Sequence, residues 1–167
     1  MDYEFRAGII TVSDKGSRGE RVDKSGEAIR ELLTAEGFRI EKQAVLPDEL
    51  ETIKDALIAW SDLDRLDLIV TTGGTGFSPR DVTPEATARV IEKAAPGLSE
   101  AMRWEGLKKT PHAMLSRGVS GIRGRTLIVN LPGSEKAVRE SLAAILPALP
   151  HALEVLAGRG GECGSQK

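Results

Sequence analysis

The apolar residues of this chain form short runs that alternate with helical stripes. Aliphatic and β-branched residues dominate positions 8–12, 68–72 and 126–130, and residues 38–45 show partial alternation; all four are runs of strand length. Between these runs, apolar residues recur at three- and four-residue intervals, which predicts helices with one buried face. The clearest stripes are Ala28, Ile29, Leu32 and Leu33; Leu50, Ile53, Leu57 and Trp60; and Val138, Leu142, Ile145 and Leu149. The alternation predicts an α/β fold, a three-layer α/β/α sandwich with a mostly parallel sheet.

Cap and breaker residues predict where some of these helices begin and end. Asp48 and Glu51 have the spacing of a capping box at the start of the second helix. Ser134 can cap the final helix through its hydroxyl oxygen. Pro147 and Pro150 should bend or split that helix, because proline removes a backbone donor and clashes with the preceding turn.

The segment from residue 83 to residue 124 is predicted to hold two helices and two turns. Thr83 would supply the N-cap oxygen of the first helix, with Pro84 at its first position. The inward face of that helix would carry Ala86, Val90, Ile91 and Ala94. A second helix should cover 98–109 after a break at Pro96-Gly97. An extended piece over 114–118 and a turn over 121–124 are expected before the last strand.

Polar loops follow the predicted strands at their carboxyl ends. They begin at Ser13, Leu46, Thr71 and Asn130. In parallel sheets the carboxyl ends of the strands meet at one edge, and ligands bind there. We therefore expect these four loops, although distant in sequence, to converge on one rim.

The loop after the third strand is rich in glycine. A strand over 68–72 is followed by Gly73-Gly74-Thr75-Gly76 and then by a helix start. This geometry directs backbone N–H groups at an anion, and glycine lets the backbone approach the ligand closely. An ordinary tight connection remains the alternative. Arg80 and Asp81 favour a phosphate with its metal ion.

Two familiar phosphate-binding motifs are excluded here. The P-loop pattern requires Gly-Lys-Ser/Thr where this chain has Gly76-Phe77-Ser78, and the dinucleotide pattern requires a third glycine where it has Pro79. The glycine loop would therefore bind its ligand in another way.

Composition narrows the class of protein. The chain has 167 residues, of which 40% are hydrophobic and 29% charged, and a net charge of −2, which gives no basic footprint for nucleic acid. One cysteine, Cys163, excludes a disulfide framework. No apolar run approaches the ~20 residues of a membrane span, and the N-terminus lacks a signal-peptide pattern. We expect a cytoplasmic protein with one domain over residues 1–157 and a disordered tail over 158–167.

Two long motifs together resemble the molybdopterin adenylyltransferase family. The first runs from Thr71 to Ala86 and reads TTGGTGFSPRDVTPEA, and the second is Asn130-Leu131-Pro132-Gly133-Ser134. Leu46-Pro47-Asp48 and Leu115-Ser116-Arg117 also match family segments, and the likeness covers about residues 5–157. The family includes bacterial enzymes and the G domains of plant and animal molybdenum-cofactor proteins such as gephyrin.

The resemblance implies a reaction. Members of the family are usually homotrimers that bind molybdopterin, a pterin with a dithiolene and a terminal phosphate. With ATP and Mg²⁺ they transfer AMP to that phosphate and release pyrophosphate. A downstream molybdate-insertion protein is a possible partner.

The same resemblance implies a set of site residues. Asp48 and Asp81 match acids important for catalysis in the family and are our candidates for positioning Mg²⁺. The Gly73–Gly76 amides would receive phosphate oxygens, and Ser116 matches a serine that contacts the pterin in relatives. The substrate-binding candidates are Ser13, Asp14, Thr72, Gly73, Gly74, Thr75, Gly76, Pro79, Arg80, Ser116, Asn130, Pro132, Gly133 and Ser134.

Structural roles compete with several of these assignments. Asp48 could be only a helix cap, and Asp81 could only close a turn before Thr83. Ser13 and Asp14 could cap the loop that leads to the first helix, while Asn130 and Ser134 could order the turn into the last one. Two other functions also stay open: a non-catalytic pterin-binding or scaffolding homologue, and a nucleotide hydrolase, since competence-damage-type proteins contain a related domain.

Overall fold

The parallel sheet at the centre of the molecule sets the position of every loop discussed below. A computed structural model describes residues 3–160, and within that range the sheet has six strands in the order β2-β1-β3-β6-β5-β4. The strands are β1 (Arg6–Val12), β2 (Arg39–Leu46), β3 (Leu68–Thr72), β4 (Lys93–Ala94), β5 (Ser120–Arg123) and β6 (Thr126–Leu131). Strands β2, β1, β3 and β6 run parallel, and β5 and β4 form an antiparallel edge.

Helices cover both faces of the sheet. They are α1 (Asp14–Ser17), α2 (Lys24–Ala35), α3 (Leu50–Asp62), α4 (Thr83–Val90), α5 (Pro96–Leu107), α6 (Glu135–Ile145) and α7 (Leu149–Leu156). The 3₁₀ segment Pro111–Leu115 lies between α5 and β5, and a second one, Leu146–Ala148, connects α6 to α7. The predicted tail falls, from residue 161 onward, outside the residues that the structure describes.

Side chains that alternate along the central strands build two cores. In β1, Ala7 and Ile9 pack into the core beneath α2, α5, α6 and α7. Ile10 and Val12 point to the other face and pack with α3 and α4. The period-two alternation places each strand between two apolar layers. The predicted three-layer sandwich is confirmed.

Two predicted helix starts are wrong. The capping box is absent, since α3 begins at Leu50 and its N-cap residue, Glu49, makes no side-chain cap bond. Thr83 is the first helical residue of α4 rather than its N-cap, which is Val82. The Thr83 hydroxyl donates instead to the carbonyl of Gly73, 3.0 Å away. In both cases a contact distant in sequence replaces the local cap.

The region before the last hairpin also differs from the prediction. Helix α4 ends at Val90, and Ala94 lies in the exposed edge strand β4, where it pairs with Gly121 of β5. A Cβ on Gly121 would lie 2.7 Å from carbons of Ile91, so this glycine permits close packing within a strand instead of making a turn. The turn is reduced to the residues around Gly124, whose φ is +57°. Of the predicted extended piece over 114–118, Met114 and Leu115 instead end a 3₁₀ segment over Pro111–Leu115, while Ser116 is extended.

The end of the chain follows the prediction. The Ser134 hydroxyl caps α6 by accepting the amide of Ala137 at 3.2 Å. Helix α6 ends at Ile145, and a 3₁₀ turn at Pro147 separates it from α7. Across residues 3–160, no helix has the length and apolar character needed to cross a membrane.

Candidate functional site

The four polar loops meet at the carboxyl edge of the sheet, as predicted. The amide of Ser13 donates to the carbonyl of Leu46 at 2.8 Å, which joins the loops after β1 and β2. The hydroxyl of Thr72 donates to the carbonyl of Pro132 at 2.6 Å, which joins the loops after β3 and β6. The residues at this rim are therefore neighbours in space.

Asp14 and Asp48 lie at the tips of β1 and β2 and hold each other in place. The amide of Asp14 donates to Oδ2 of Asp48 at 2.9 Å, and the amide of Asp48 donates to Oδ1 of Asp14 at 3.0 Å. Oδ1 of Asp48 accepts no hydrogen bond from the described residues, and a Cβ built on Gly74 would lie 3.4 Å from it. The unbonded oxygen of Asp48 therefore lies beside the glycine loop.

Arg80 connects the glycine loop to the same pair. Its Nε and Nη2 donate to the two carboxylate oxygens of Asp14 at 3.0 and 2.8 Å, in a bidentate ion pair. The Arg80 side chain is 60% exposed. Its guanidinium is committed to Asp14, so a direct contact with phosphate, as predicted, would require the ion pair to open or to share its donors.

The two neighbouring carboxyl groups have pKa values shifted in opposite directions. Burial raises the pKa of Asp48 above its ordinary value, and the charges of Asp14 and Asp81 act in the same direction, against the hydrogen bond from the Asp14 amide. The hydrogen bonds from Arg80 and from the amide of Asp48 hold the pKa of Asp14 below its ordinary value. An added cation would therefore stabilise the ionised form of Asp48.

The glycine loop directs its carbonyls into the protein. The carbonyls of Gly73 and Gly74 accept the hydroxyl and the amide of Thr83 at 3.0 and 3.1 Å. The carbonyls of Thr75 and Gly76 accept the amide and the Nε of Arg117 at 2.9 and 2.8 Å. Positive φ values at Gly73 (+91°) and Gly74 (+67°) permit this arrangement.

Most amides of the glycine loop, unlike its carbonyls, have no hydrogen-bond partner in the described part of the protein. The amide of Gly73 donates to the carbonyl of Leu131 at 3.3 Å, so it is used by the protein itself. The amides of Gly74, Thr75 and Gly76 have no acceptor within residues 3–160. Three adjacent donors therefore remain to bind an anion, directly before the N-terminus of α4.

Arg117 stabilises the glycine loop, although the sequence did not predict it as a site residue. Besides its two bonds to Thr75 and Gly76, its Nη2 donates to the carbonyl of Asp81 at 2.9 Å, and its Nη1 pairs with Glu85. The feature of the sequence that could have indicated its role is its position directly after Ser116, in a segment that matches the family. Arg117 orients the loop carbonyls and thereby the amides on the other side.

The carboxylate of Asp81 bonds to a residue that precedes it in the same loop. Its Oδ2 accepts the amide of Ser78 at 3.0 Å, so Asp81 closes a turn over 78–81, before Thr83, and the amide of Thr83 bonds to Gly74 instead of to Asp81. Oδ1 of Asp81, like Oδ1 of Asp48, has no donor among the described residues. A Cβ on Gly76 would lie 2.9 Å from Oδ2 of Asp81, which places this carboxylate against the loop amides.

Two cavities open at the rim. The α6 cavity, about 520 Å³, lies between the glycine loop, α5 and α6. The α2 cavity, about 690 Å³, lies between the glycine loop, the end of β1 and the start of α2. Gly74, Asp81 and Gly133 line both of them. The glycine loop is therefore the wall that the two cavities share.

The predicted site residues divide between these cavities. Those that line the α2 cavity are Ser13, Asp48, Thr72, Gly73, Gly74, Asp81 and Gly133. Those that line the α6 cavity are Gly74, Thr75, Gly76, Asp81, Ser116, Asn130, Pro132, Gly133 and Ser134. Asp14, Pro79 and Arg80 line neither, although Asp14 bonds to Asp48, which lines the α2 cavity, and Arg80 bonds to Asp14.

Some predicted contact residues use their side chains to hold the framework. Asn130 is 2% exposed; its side-chain amide donates to the hydroxyls of Thr71 and Thr87 at 3.0 and 2.9 Å and accepts the amide of Val119. The side chain of Asn130 therefore holds β3, α4 and the segment before β5 together, at the edge of the α6 cavity. The hydroxyl of Ser13 similarly caps α1 by accepting the amide of Gly16 at 3.0 Å.

The two carboxylates beside the glycine loop, Asp48 and Asp81, fit Mg²⁺. Within the described part of the chain, no group of three or more His, Cys, Asp or Glu side chains could hold a metal ion. Asp48 and Asp81 each offer one carboxylate oxygen without a donor. Mg²⁺ is commonly held by one or two carboxylates, with waters and substrate phosphates completing its shell. A Mg²⁺ ion held by these two residues would need waters or phosphate oxygens as its further ligands.

The fold and the site define a doubly wound α/β ligand-binding domain with two cavities at the carboxyl edge of its sheet. The chain belongs to the molybdopterin-binding domain family, since residues 8–151 match the family described as a probable molybdopterin binding domain. It is 44% identical over 156 residues to the molybdopterin adenylyltransferase of Helicobacter pylori strain J99, covering 90% of this chain and 87% of that protein.

Two further relatives extend the comparison. The chain is 42% identical over 165 residues to gephyrin of Dictyostelium discoideum, covering 93% of this chain but only 23% of that longer protein. Its fold matches the crystal structure of the molybdopterin biosynthesis enzyme MoaB from Thermus thermophilus with a TM-score of 0.88. These two chains are 58% identical, and the match covers 92% of this chain and 97% of that one.

Proposed function

We propose that this protein is a molybdopterin adenylyltransferase of molybdenum-cofactor biosynthesis. A phosphate oxygen of molybdopterin attacks the α-phosphorus of ATP, the new bond joins AMP to the pterin, and the bond to pyrophosphate breaks. The name of the H. pylori relative, 44% identical to this chain, supports this reaction. The function rests equally on the geometry of the site.

The observation that carries the proposal is the wall shared by the two cavities. Gly74, Asp81 and Gly133 line both cavities, so two ligands seated separately would meet at the glycine loop. Attack of one phosphate on another requires that two anions approach in line and that their charge is neutralised. Three amides without acceptors at this wall and two carboxylates suited to Mg²⁺ beside the glycine loop meet both requirements.

The linings favour one substrate for each cavity. We assign ATP to the α2 cavity, the larger of the two at about 690 Å³, where Arg21 and Lys24 supply cations in a lining that also carries the acids Asp23, Asp48, Asp81 and Glu135. The α6 cavity suits the pterin, because Met102 offers apolar surface to a flat ring and Ser116 matches a serine that contacts the pterin in relatives. Its volume of about 520 Å³ lies within the range of ordinary ligand pockets.

The residues of the chain mainly position the two substrates and neutralise the charge of their phosphates. The amides of Gly74, Thr75 and Gly76 would bind phosphate oxygens, and the hydrogen bonds of Asp14 would hold the Asp48 carboxylate in place. Asp48 and Asp81 would hold Mg²⁺, which when bound neutralises negative charge on the reacting phosphates. No general base is needed, since the nucleophile is already an ionised phosphate.

The proposal includes the setting of the enzyme. We expect it to act in the cytoplasm as a homotrimer and to pass its product to a molybdate-insertion protein. Trp104 and Met114 are 68% and 61% exposed on α5 and the following 3₁₀ segment, and this apolar surface would suit a neighbouring copy. Multi-angle light scattering of the purified protein would test for the trimer.

Incubation of the purified protein with molybdopterin, ATP and Mg²⁺ tests the activity directly. Mass spectrometry should detect adenylylated molybdopterin with one pyrophosphate released for each product. The Asp81→Asn variant should form little product, whereas Asp55→Asn, which changes an exposed acid on α3, should match the wild type. Pterin binding without product would favour the scaffold, and ATP consumption without pterin would favour the hydrolase.

A further inference from the structure

Glu140 is a carboxylate in the wall of the α6 cavity without a hydrogen-bond donor. It lies on α6, and its side chain is only 27% exposed. The ammonium of Lys109 lies 3.4 Å from Oε1, as an ion pair without a hydrogen bond, and no described residue donates to either oxygen. Half-buried carboxylates usually accept hydrogen bonds, so this one has capacity for a ligand.

Helical periodicity directs Glu140 into the cavity. Ala137, Glu140 and Ser141 have the i, i+3, i+4 spacing of one helix face, and all three line the cavity. Arg139 lies on another face and pairs with Glu31 at 2.9 Å. Glu140 is therefore presented to a ligand by the regular geometry of a helix, on a rigid element rather than a loop.

The two acids of the cavity differ in position, and this difference orients a bound pterin. The lining also contains the cation Arg103, whose Nη1 donates to the carbonyls of Ser116 and Gly118. The acids that line it are Asp81, which is part of the shared wall, and Glu140, which lines the α6 cavity alone. A phosphate would be attracted by the loop amides near Asp81, whereas the carboxylate of Glu140, which pairs with Lys109, offers it only acceptor oxygens. The ring end of the substrate would therefore face Glu140. A pterin presents two N–H donors there, from N3 and the 2-amino group, at a spacing that matches the two oxygens of a carboxylate.

We propose that Glu140 determines specificity for the pterin ring, accepting N3–H and one N–H of the 2-amino group through its two carboxylate oxygens. The inference rests on the proposed function, because it names the substrate of the same cavity. Glu140 would act in binding and take no part in transfer. It would distinguish 2-amino-4-oxo pteridines from rings that carry oxygen at position 2.

The test compares glutamate variants in binding and turnover. Fluorescence titration with molybdopterin should show Kd raised at least about tenfold in Glu140→Gln, because glutamine replaces one acceptor with a donor that faces the 2-amino group. KM for molybdopterin should rise in parallel, with kcat and KM for ATP unchanged. Glu140→Asp keeps the charge on a shorter side chain, so its Kd for molybdopterin should lie between those of the wild type and Glu140→Gln.

Two controls separate binding from structure. Glu105→Gln changes another glutamate paired with a lysine, Lys108 at 2.7 Å, on a helix position that lines neither cavity, and should bind molybdopterin like the wild type. Lys109→Gln removes the ion pair and keeps the carboxylate, so its Kd should stay within about threefold of the wild type. Equal melting temperatures in Glu140→Gln and Glu105→Gln would exclude a folding effect.

Analogue binding gives an independent readout. The wild type should prefer pterin-6-carboxylate to its 2-oxo counterpart, 6-carboxylumazine, and Glu140→Gln should lose that preference. If the variant binds molybdopterin as tightly as the wild type, the role of Glu140 is refuted while the proposed transferase stands. If the wild type fails to bind molybdopterin, the proposed function itself fails. The two failures are thus distinguishable.

Discussion

Asp14 and Asp48 each accept a hydrogen bond from the backbone amide of the other, at 2.9 and 3.0 Å. The exchange ties the tips of β1 and β2 together and fixes the carboxylate of Asp48 beside the glycine loop. Asp48 thus serves the fold through Oδ2, and its Oδ1, which accepts no hydrogen bond from the described residues, is the atom that we propose holds a metal ion. Substitutions that preserve one of these two roles can tell them apart.

The first prediction concerns the charge of Asp48. In Asp48→Asn the side-chain oxygen can still accept the amide of Asp14, but the metal loses an anionic ligand. We expect AMP transfer to fall at least about a hundredfold, with a melting temperature no lower than that of the wild type. Stopped assays and thermal unfolding measure the two quantities. Near-normal turnover in this variant would show that Asp48 is only structural.

The second prediction concerns pH, because burial and neighbouring charges raise the pKa of Asp48. Between the ordinary aspartate value, about 3.9, and the raised pKa, the folded state holds a proton that the unfolded state has released, so stability falls as pH rises through this window. Activity should change in the opposite sense and decline as pH falls, up to about tenfold per pH unit below the raised pKa.

Two measurements check this dependence on pH. The acid limb of kcat/KM should lie above the ordinary aspartate pKa. The melting temperature of Asp48→Asn should exceed or equal that of the wild type at neutral pH, and the difference should shrink as the solution is acidified. Asp14 should not contribute to this limb, because Arg80 keeps its pKa low. An acid limb at or below the ordinary value would contradict the prediction.

The third prediction concerns the backbone of the glycine loop. Gly74 has a φ of +67°, and a Cβ there would lie 2.3 Å from Oγ1 of Thr83. Gly74→Ala should lower the free energy of unfolding by about 2 kcal/mol or more through strain and clash, and should nearly abolish transfer. Gly124→Ala is the matched control, since Gly124 has a φ of +57° and an added Cβ there would meet no atom within 4 Å.

Chemical denaturation and activity assays separate these two glycine variants. Gly124→Ala should lose about 1 kcal/mol of stability through backbone strain alone and retain full activity. If both variants lose activity equally, the effect belongs to general stability, and the loop has no special role.

The fourth prediction concerns Arg117, which holds three carbonyls of the loop through its main chain and side chain. Arg117→Lys loses the forked donors and should lower the stability by about 1–2 kcal/mol and transfer by about tenfold. Arg123→Lys is a matched control, because Arg123 pairs with Asp62 and donates to the carbonyl of Val90 at the far edge of the sheet. It should lose similar stability with unchanged kcat and KM.

The fold was predictable where a pattern is local. Runs of strand length and helical stripes predicted the parallel sheet and its two covered faces, and the order of strands along the chain predicted the rim where four loops meet. Ser134 caps the start of α6, and Pro147 lies in the turn that separates α6 from α7, as the chemistry of serine and proline predicts. Each of these features depends on residues a few positions apart or on a general rule of parallel sheets.

The errors occurred where a distant partner replaces a local one. Asp48 satisfies the spacing of a capping box, yet its carboxylate bonds to an amide 34 positions away. The Thr83 hydroxyl bonds to Gly73 rather than to its own helix. Arg117 reaches Gly76 across 41 positions, and nothing in its local sequence reveals that contact. The edge strand at Ala94 forms only because Gly121 pairs with it.

The hydrogen bonds of the loop carbonyls have a consequence for binding. No peptide between Gly73 and Gly76 can flip without breaking a bond to Thr83 or Arg117. The three donors therefore point outward before any substrate arrives, and little conformational entropy is lost when a phosphate binds. Because the loop is rigid, it should bind pyrophosphate as readily as it binds a substrate. We therefore expect the product pyrophosphate to inhibit the enzyme by binding to the same three amides.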